Sequence, residues 1–159
     1  MKTYFITSVT QFRIPFFLVS MFRDAFLRGI NYFQETLGFQ ISGFCLMPDH
    51  VHMIISSDQP VSKIIGNIKS YCGREISRIL DDRGKVWEDG YIKLEIKSYN
   101  AYENILDTIH ANPVKRGLVK KSADYPYSSY EYFKENKPVP FFPAVKLTEN
   151  DFAPQPVTV

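Results

Sequence analysis

At 159 residues, 45% hydrophobic and 23% charged, the chain has the length and composition of one globular domain with one core. A formal net charge of +2 excludes a chain-wide polybasic surface, so nucleic-acid contact would have to come from local clusters. Cys45 and Cys72 lack CxxC spacing and read as half-buried thiols of a reducing compartment. The start, Met1-Lys2-Thr3-Tyr4, lacks a signal-like apolar run, and no stretch approaches membrane-spanning length, so a cytoplasmic protein without membrane contact is expected.

In chain order, residues 4–10 are β-branched and aromatic without Gly or Pro and predict a strand. Pro15 breaks the next segment. Ser20 is the expected N-cap of a helix in which Phe22, Ala25, Phe26, Ile30, Phe33 and Leu37 recur at three- and four-residue intervals, with Gly38 as its stop. Residues 39–46 and 50–56 read as strands joined by the tight turn Met47-Pro48-Asp49, an antiparallel hairpin. Residues 61–80 form an amphipathic helix, with Ile64, Ile68, Cys72 and Ile76 on one arc. Lys63, Arg74 and Arg78 lie opposite, on a face that is either solvated or meets nucleic acid.

Asp81-Asp82-Arg83-Gly84 is a polar loop, and residues 91–97 alternate, with Ile92, Leu94 and Ile96 on one side and Lys93, Glu95 and Lys97 on the other, as in a half-exposed strand. Asn100 followed by Glu103 resembles a capping box opening a third helix, which Pro113 should end near Asn112. Beyond Tyr132 come Pro138, Pro140, Pro143, Pro154 and Pro156, so the organisation is a domain over residues 1–133 and a loosely structured or surface-draped tail over 134–159. The order strand, helix, strand, strand, helix, strand, helix fits an α+β, ferredoxin/RRM-like fold: a four-stranded antiparallel sheet with helices packed on one face. That layout serves many activities, so function has to come from side chains.

Aromatic residues make up 15% of the chain, enough for a Phe-rich core with a minority of rings left to stack on bases. Two of the three histidines, His50 and His52, occupy alternate strand positions and so share a face close enough to hold one ion. Neutral imidazoles suit Mn²⁺, Zn²⁺ and similar ions. Taken alone, the pattern is equally that of two half-buried histidines on an edge strand.

Context adds a resemblance. The run Gly43-Phe44-Cys45-Leu46-Met47-Pro48-Asp49-His50-Val51-His52-Met53-Ile54-Ile55 resembles the metal-binding His-hydrophobic-His (HUH) hairpin of the REP-associated and insertion-sequence single-tyrosine transposases. Val86-Trp87-Glu88-Asp89-Gly90-Tyr91 is similar to that family's entry to the last strand, and Ile109-His110-Ala111-Asn112-Pro113-Val114-Lys115-Arg116-Gly117-Leu118-Val119 to the segment after its nucleophile. Asp124-Tyr125-Pro126-Tyr127-Ser128-Ser129-Tyr130 resembles the short aromatic-Ser-Ser stretch that follows. The resemblance implies binding of single-stranded or hairpin DNA, such as a REP element, and divalent-metal-dependent cleavage and rejoining of strands during DNA transposition. A tyrosine forms a covalent 5′-phosphotyrosine link in that scheme.

On this chain the resemblance implies a metal site of His50, His52 and Asn112, holding Mg²⁺ or Mn²⁺. The expected nucleophile directly precedes the Ile-x-x-Asn-Pro segment, where this chain has Thr108. A phenol has a pKa of about 10 and leaves tolerably, whereas an aliphatic hydroxyl is far harder to activate and to expel. Tyr102 is the substitute on the same helix, six residues upstream and about 120° round it. His110, two residues from Asn112, reads as structural. Lys115, Arg116, Lys120 and Lys121 follow the metal-site helix and are expected to contact the DNA backbone. Three functions stay open: a DNA-cleaving transposase, a domesticated hairpin-binding protein that has lost strand transfer, and a metal-dependent phosphodiesterase using water. The family includes dimers and monomers, so a homodimer is an open expectation.

Overall fold

In the computed structural model, which describes residues 1–154, strands β1 (Lys2–Val9), β2 (Gln40–Leu46), β3 (His50–Ser57) and β4 (Ile92–Ile96) form one sheet in the order β2-β3-β1-β4. Neighbouring strands are all antiparallel. Helices α1 (Ser20–Leu37) and α2 (Val61–Leu80) make the two crossovers, which is the ferredoxin-like arrangement expected. Both pack on one face of the sheet, where Phe22, Phe26 and Ile30 of α1 and Ile64, Ile68 and Cys72 of α2 meet Ile6, Val51, Met53 and Ile55. Both cysteine thiols are fully buried rather than half-buried, Cys72 in this layer and Cys45 in the opposite one. No helix among the described residues is long and apolar enough to cross a membrane.

Alternation along β3 sends Val51, Met53 and Ile55 to that core and leaves Ile54 on the other face. There a second core forms between Ile54 and Cys45 and the third helix, α3 (Tyr99–Lys115), through Tyr102, Leu106 and Ile109. His50 and His52 are in phase with Ile54 and therefore lie on the α3 side. β3 is an interior strand, flanked by β1 and β2, so the edge-strand reading of the histidine pair is corrected.

Gly43 lets α3 come this close. A β-carbon there would stand 2.8 Å from Ile54 Cδ1 and 3.0 Å from Leu106 Cδ1. The adjacent bulge in the β2–β3 register, between Ile41 and Gly43, contains Ser42, whose carbonyl accepts a 2.8 Å bond from the Tyr102 hydroxyl.

The boundaries of α3 differ from the sequence expectation at both ends. Ser98, not Asn100, caps the helix, its hydroxyl accepting from the Ala101 amide at 3.2 Å. Pro113 lies within the helix instead of ending it. It forfeits one backbone bond in the last turn, and the helix ends at Lys115, just before Gly117 in the left-handed region at φ 71°. On β4, Ile96 is buried but Ile92 and Leu94 are 61% and 53% exposed, because α3 covers only one end of this edge strand.

Residues 136–154 drape over the domain and take part in its cores. Phe142 packs edge-on against Phe44, Leu147 is buried, and the Val145 amide donates to the Ile41 carbonyl at 2.9 Å. Pro156 and the last part of the expected 134–159 tail lie outside the described residues.

Candidate metal and nucleic-acid site

The site forms where the open end of the β1–β3 seam meets the last turn of α3. Register puts Thr7 of β1 opposite His52. The His52 Nδ1 and the Thr7 hydroxyl are 2.8 Å apart, and the Asn112 side-chain amide donates to His52 Nε2 across 3.2 Å. A neutral ring protonated on Nδ1 satisfies both bonds, with the Nε2 lone pair facing Asn112. Phe5 stacks on the same ring at 5.5 Å, fixing its plane. The His50 Nδ1 donates to the Asp49 carboxylate at 2.6 Å, which fixes the tautomer that leaves the Nε2 lone pair unprotonated. The two imidazoles stand 4.7 Å apart, edge to face.

Burial, reinforced by the neighbouring His50 and Arg116, lowers the His52 pKa to about 4. Burial also lowers that of His50, against the opposing pull of Asp49, with Arg116 and Arg13 reinforcing the drop. Both rings are therefore neutral near pH 7, the form that binds metals. Burial pushes the Asp49 carboxyl up, but His50 and Arg13 outweigh it and hold it below the usual range.

Two observations bear on whether an ion fits. Asn112 Oδ1 is buried with no hydrogen-bond partner, a costly arrangement that a cation would relieve. Each histidine has its Nδ1 held by an outer partner, His50 with its Nε2 lone pair unengaged and His52 with its Nε2 accepting the Asn112 amide, a bond that an ion would replace. Two imidazole nitrogens and one amide oxygen suit a borderline or hard divalent cation with open positions for phosphate oxygens. No group of three or more His, Cys, Asp or Glu side chains gathers at ligating distance among the described residues, so the donor set rests on the asparagine.

The remaining expected residues fall into three groups. Thr108 is exposed on α3 one turn before Asn112, and its hydroxyl donates to its own helix, at the Asn104 carbonyl, 2.9 Å away. Tyr102 is only 2% exposed and locked to Ser42, with burial raising its pKa, so it is withdrawn as a substitute nucleophile. His110 is structural as expected: buried at 2%, its Nε2 lies 2.9 Å from the Ser129 hydroxyl, which also accepts from the Phe44 amide at 2.9 Å.

Lys115, Arg116, Lys120 and Lys121 are exposed at and beyond the end of α3, and Arg116 is near enough to depress both site histidines. Lys63, Arg74 and Arg78 belong to α2, behind the opposite face of the sheet, and Arg78 is paired with Glu75 at 3.0 Å. The structure does not bring these three to the histidines.

Sequence reasoning missed Thr7, Asp49 and Arg13. Asp49 sits inside the hairpin motif, and its position next to His50 was an available signal. Arg13 reaches the Asp49 carboxylate at 3.4 Å from a turn that binds the Asp49 carbonyl twice, through the Thr10 amide and hydroxyl, each at 2.9 Å. In that turn Phe12 and Arg13 are both left-handed, at φ 54° and 55°. For residues with a β-carbon this costs about 1–2 kcal/mol each.

Comparison with known proteins bears on the family and the fold. The family model described as transposase, IS200 like, matches residues 2–111. A Haemophilus influenzae chain assigned as a REP-associated tyrosine transposase is 27% identical over 142 residues, covering 80% of this chain and 78% of the relative. The REP-associated tyrosine transposase of Escherichia coli K12 is 27% identical over 99 residues, 58% of this chain and 54% of that one. Among solved structures, a REP-associated tyrosine transposase bound to a REP hairpin has the same fold, with a TM-score of 0.69 at 22% identity over 99% of this chain and 93% of that one. A chain assigned as a transposase from Deinococcus radiodurans aligns with a TM-score of 0.51 at 19% identity, over 69% and 89%. The match of the family model over residues 2–111 shows that the protein belongs to the IS200-like transposase family.

Proposed function

We propose that this protein binds hairpin or single-stranded DNA across the α3 side of its sheet and holds a divalent ion, Mg²⁺ or Mn²⁺, with His50, His52 and Asn112. The observation that carries the reading is the convergence of two neutral imidazoles with a buried, unpartnered amide oxygen on the seam between β3 and α3. Arg13 and Arg116 flank that seam, and Lys115, Lys120 and Lys121 extend the positive surface beyond α3. Such an array neutralises phosphate charge independently of base sequence. A relative in the same fold was solved with a REP hairpin bound, which favours a hairpin as the ligand here.

The ion would polarise a phosphate placed between the histidines and the arginines. Asp49 and Thr7 orient the two rings, and Asn112 supplies the third donor. The residue that would form the covalent link is Thr108, whose hydroxyl is bonded to its own helix and has no basic side chain as partner. We therefore favour a family member that recognises and retains DNA without the reversible tyrosine chemistry. A homodimer would have the open edge of β4 available as its seam.

A hairpin oligonucleotide titrated at rising salt tests binding. Affinity should fall steeply with salt, and absence of binding at low salt would remove the reading. Incubation with Mn²⁺ then separates the chemistries. A denaturant-resistant protein–DNA adduct would restore strand transfer, free 5′-phosphate ends would indicate water as the nucleophile, and intact DNA supports a binding protein.

A further inference from the structure

We infer that the turn over residues 10–14 is a nucleotide clamp beside the metal site: Phe12 stacks on one unpaired base and Arg13 meets the adjoining phosphate. This rests on the DNA-binding reading above and adds a contact for the single strand next to the hairpin.

Three independent features of the turn converge. Phe12 is 81% exposed, the most exposed large apolar side chain among the described residues, so no packing inside the protein accounts for its ring. Phe12 and Arg13 hold consecutive left-handed conformations in a position where glycine or asparagine would be at ease. Strain at bulky side chains that bury nothing is expected where the conformation serves a ligand. The turn is also fixed to the site: the Thr10 amide and hydroxyl hold the Asp49 carbonyl, Arg13 reaches the Asp49 carboxylate, and Asp49 holds His50.

The occupant follows from charge and shape. Arg13 is a half-exposed guanidinium next in sequence to an exposed ring. Alternating flat apolar and cationic groups match alternating bases and phosphates of a single strand. In duplex DNA the base faces are already stacked, so the ring needs an unpaired nucleotide. Arg13 touches Asp49, and Asp49 touches His50, which places Phe12 within a few nucleotides of a phosphate at the histidine pair.

The test uses the full chain and two probes: a blunt hairpin, and the same hairpin with randomised single-stranded flanks carrying a fluorescent adenine analogue. Wild type should bind the flanked probe more tightly and quench the analogue by stacking. Phe12→Ala should lose on the order of ten-fold in affinity for the flanked probe, and its quenching, with no change on the blunt hairpin. Phe12→Trp should behave as wild type. Phe12→Gly controls for folding: it should melt at or above the wild-type temperature while binding the flanked probe as weakly as Phe12→Ala. Equal binding of the flanked probe by wild type and Phe12→Ala overturns the clamp and leaves the DNA-binding reading intact. Failure of wild type to bind either probe removes both.

Discussion

Replacing Asn112 with alanine should stabilise the metal-free protein while weakening its hold on a divalent ion. The amide makes one hydrogen bond, Nδ2 to His52 Nε2 at 3.2 Å, and carries a buried Oδ1 with no partner. Deleting the side chain loses about 1 kcal/mol for that bond and removes a desolvation cost of about 1–3 kcal/mol at the orphaned oxygen. The balance is a gain of about 0–2 kcal/mol. For a chain of this length that is an increase of about 0–8 °C in melting temperature. Removing one of three donors should cost at least about ten-fold in Mn²⁺ affinity, the scale on which even outer partners of metal ligands act. Calorimetric titration with Mn²⁺ and thermal melts in chelator measure the two effects on one preparation. A variant less stable than wild type by more than about 1 kcal/mol, with unchanged Mn²⁺ affinity, would show that Asn112 is a packing residue and refute the argument.

Four further outcomes follow. Excess Mn²⁺ at about a hundred times its dissociation constant should stabilise the wild type by about 2.7 kcal/mol, and His50→Ala or His52→Ala should abolish the rise in melting temperature. Thr108→Tyr, at an exposed position, should fold normally and yield a denaturant-resistant adduct with hairpin DNA in Mn²⁺ where wild type yields none; gel electrophoresis reads it. Acid should destabilise the fold through His110, whose pKa is lowered to about 4 by burial and Lys134 against the opposing pull of Asp107. The unfolded chain takes up this proton below about pH 6.5 and the folded chain only near 4, so stability is complete above that window and falls through it, by about 3 kcal/mol for this group. Denaturant titrations across that range should show a shallower loss in His110→Gln. Ser129→Ala removes the hydroxyl that serves both the Phe44 amide and His110, and should cost about 2–4 kcal/mol in the same assay.

The sequence disclosed periodic features and missed those set by register. Both ends of α2 follow from its apolar spacing, and the period of two put His50 and His52 on one face. Spacing alone left that face unassigned, because the sheet order decides whether β3 is an edge or an interior strand. Asn112 entered the site through the resemblance, since nothing local says that a residue 60 positions after His52 meets it. Thr7 and Arg13 were invisible for the same reason, their roles being fixed by how β1 pairs with β3. Ser98 and Asn100 are both competent caps, and only the packing of Tyr102 against β2 selects the earlier start. The alternation in β4 predicted which side Ile92 and Leu94 share, but not that α3 stops short of covering them.

The two borders of the sheet are treated differently, and this bears on how the protein behaves at high concentration. Along β2, the later chain occupies the outer hydrogen-bonding groups: the Leu46 amide donates to the Tyr127 carbonyl, Cys45 bridges to Ser128, and the Val145 amide reaches Ile41. A foreign strand finds no vacancy there. β4 is the other border and carries two exposed apolar side chains, yet it is short, and Lys93 within it and Lys97 just beyond it are both exposed. Stacking such strands in register would bring like charges together, so amyloid-like growth from this border is resisted by the lysines that flank its greasy positions.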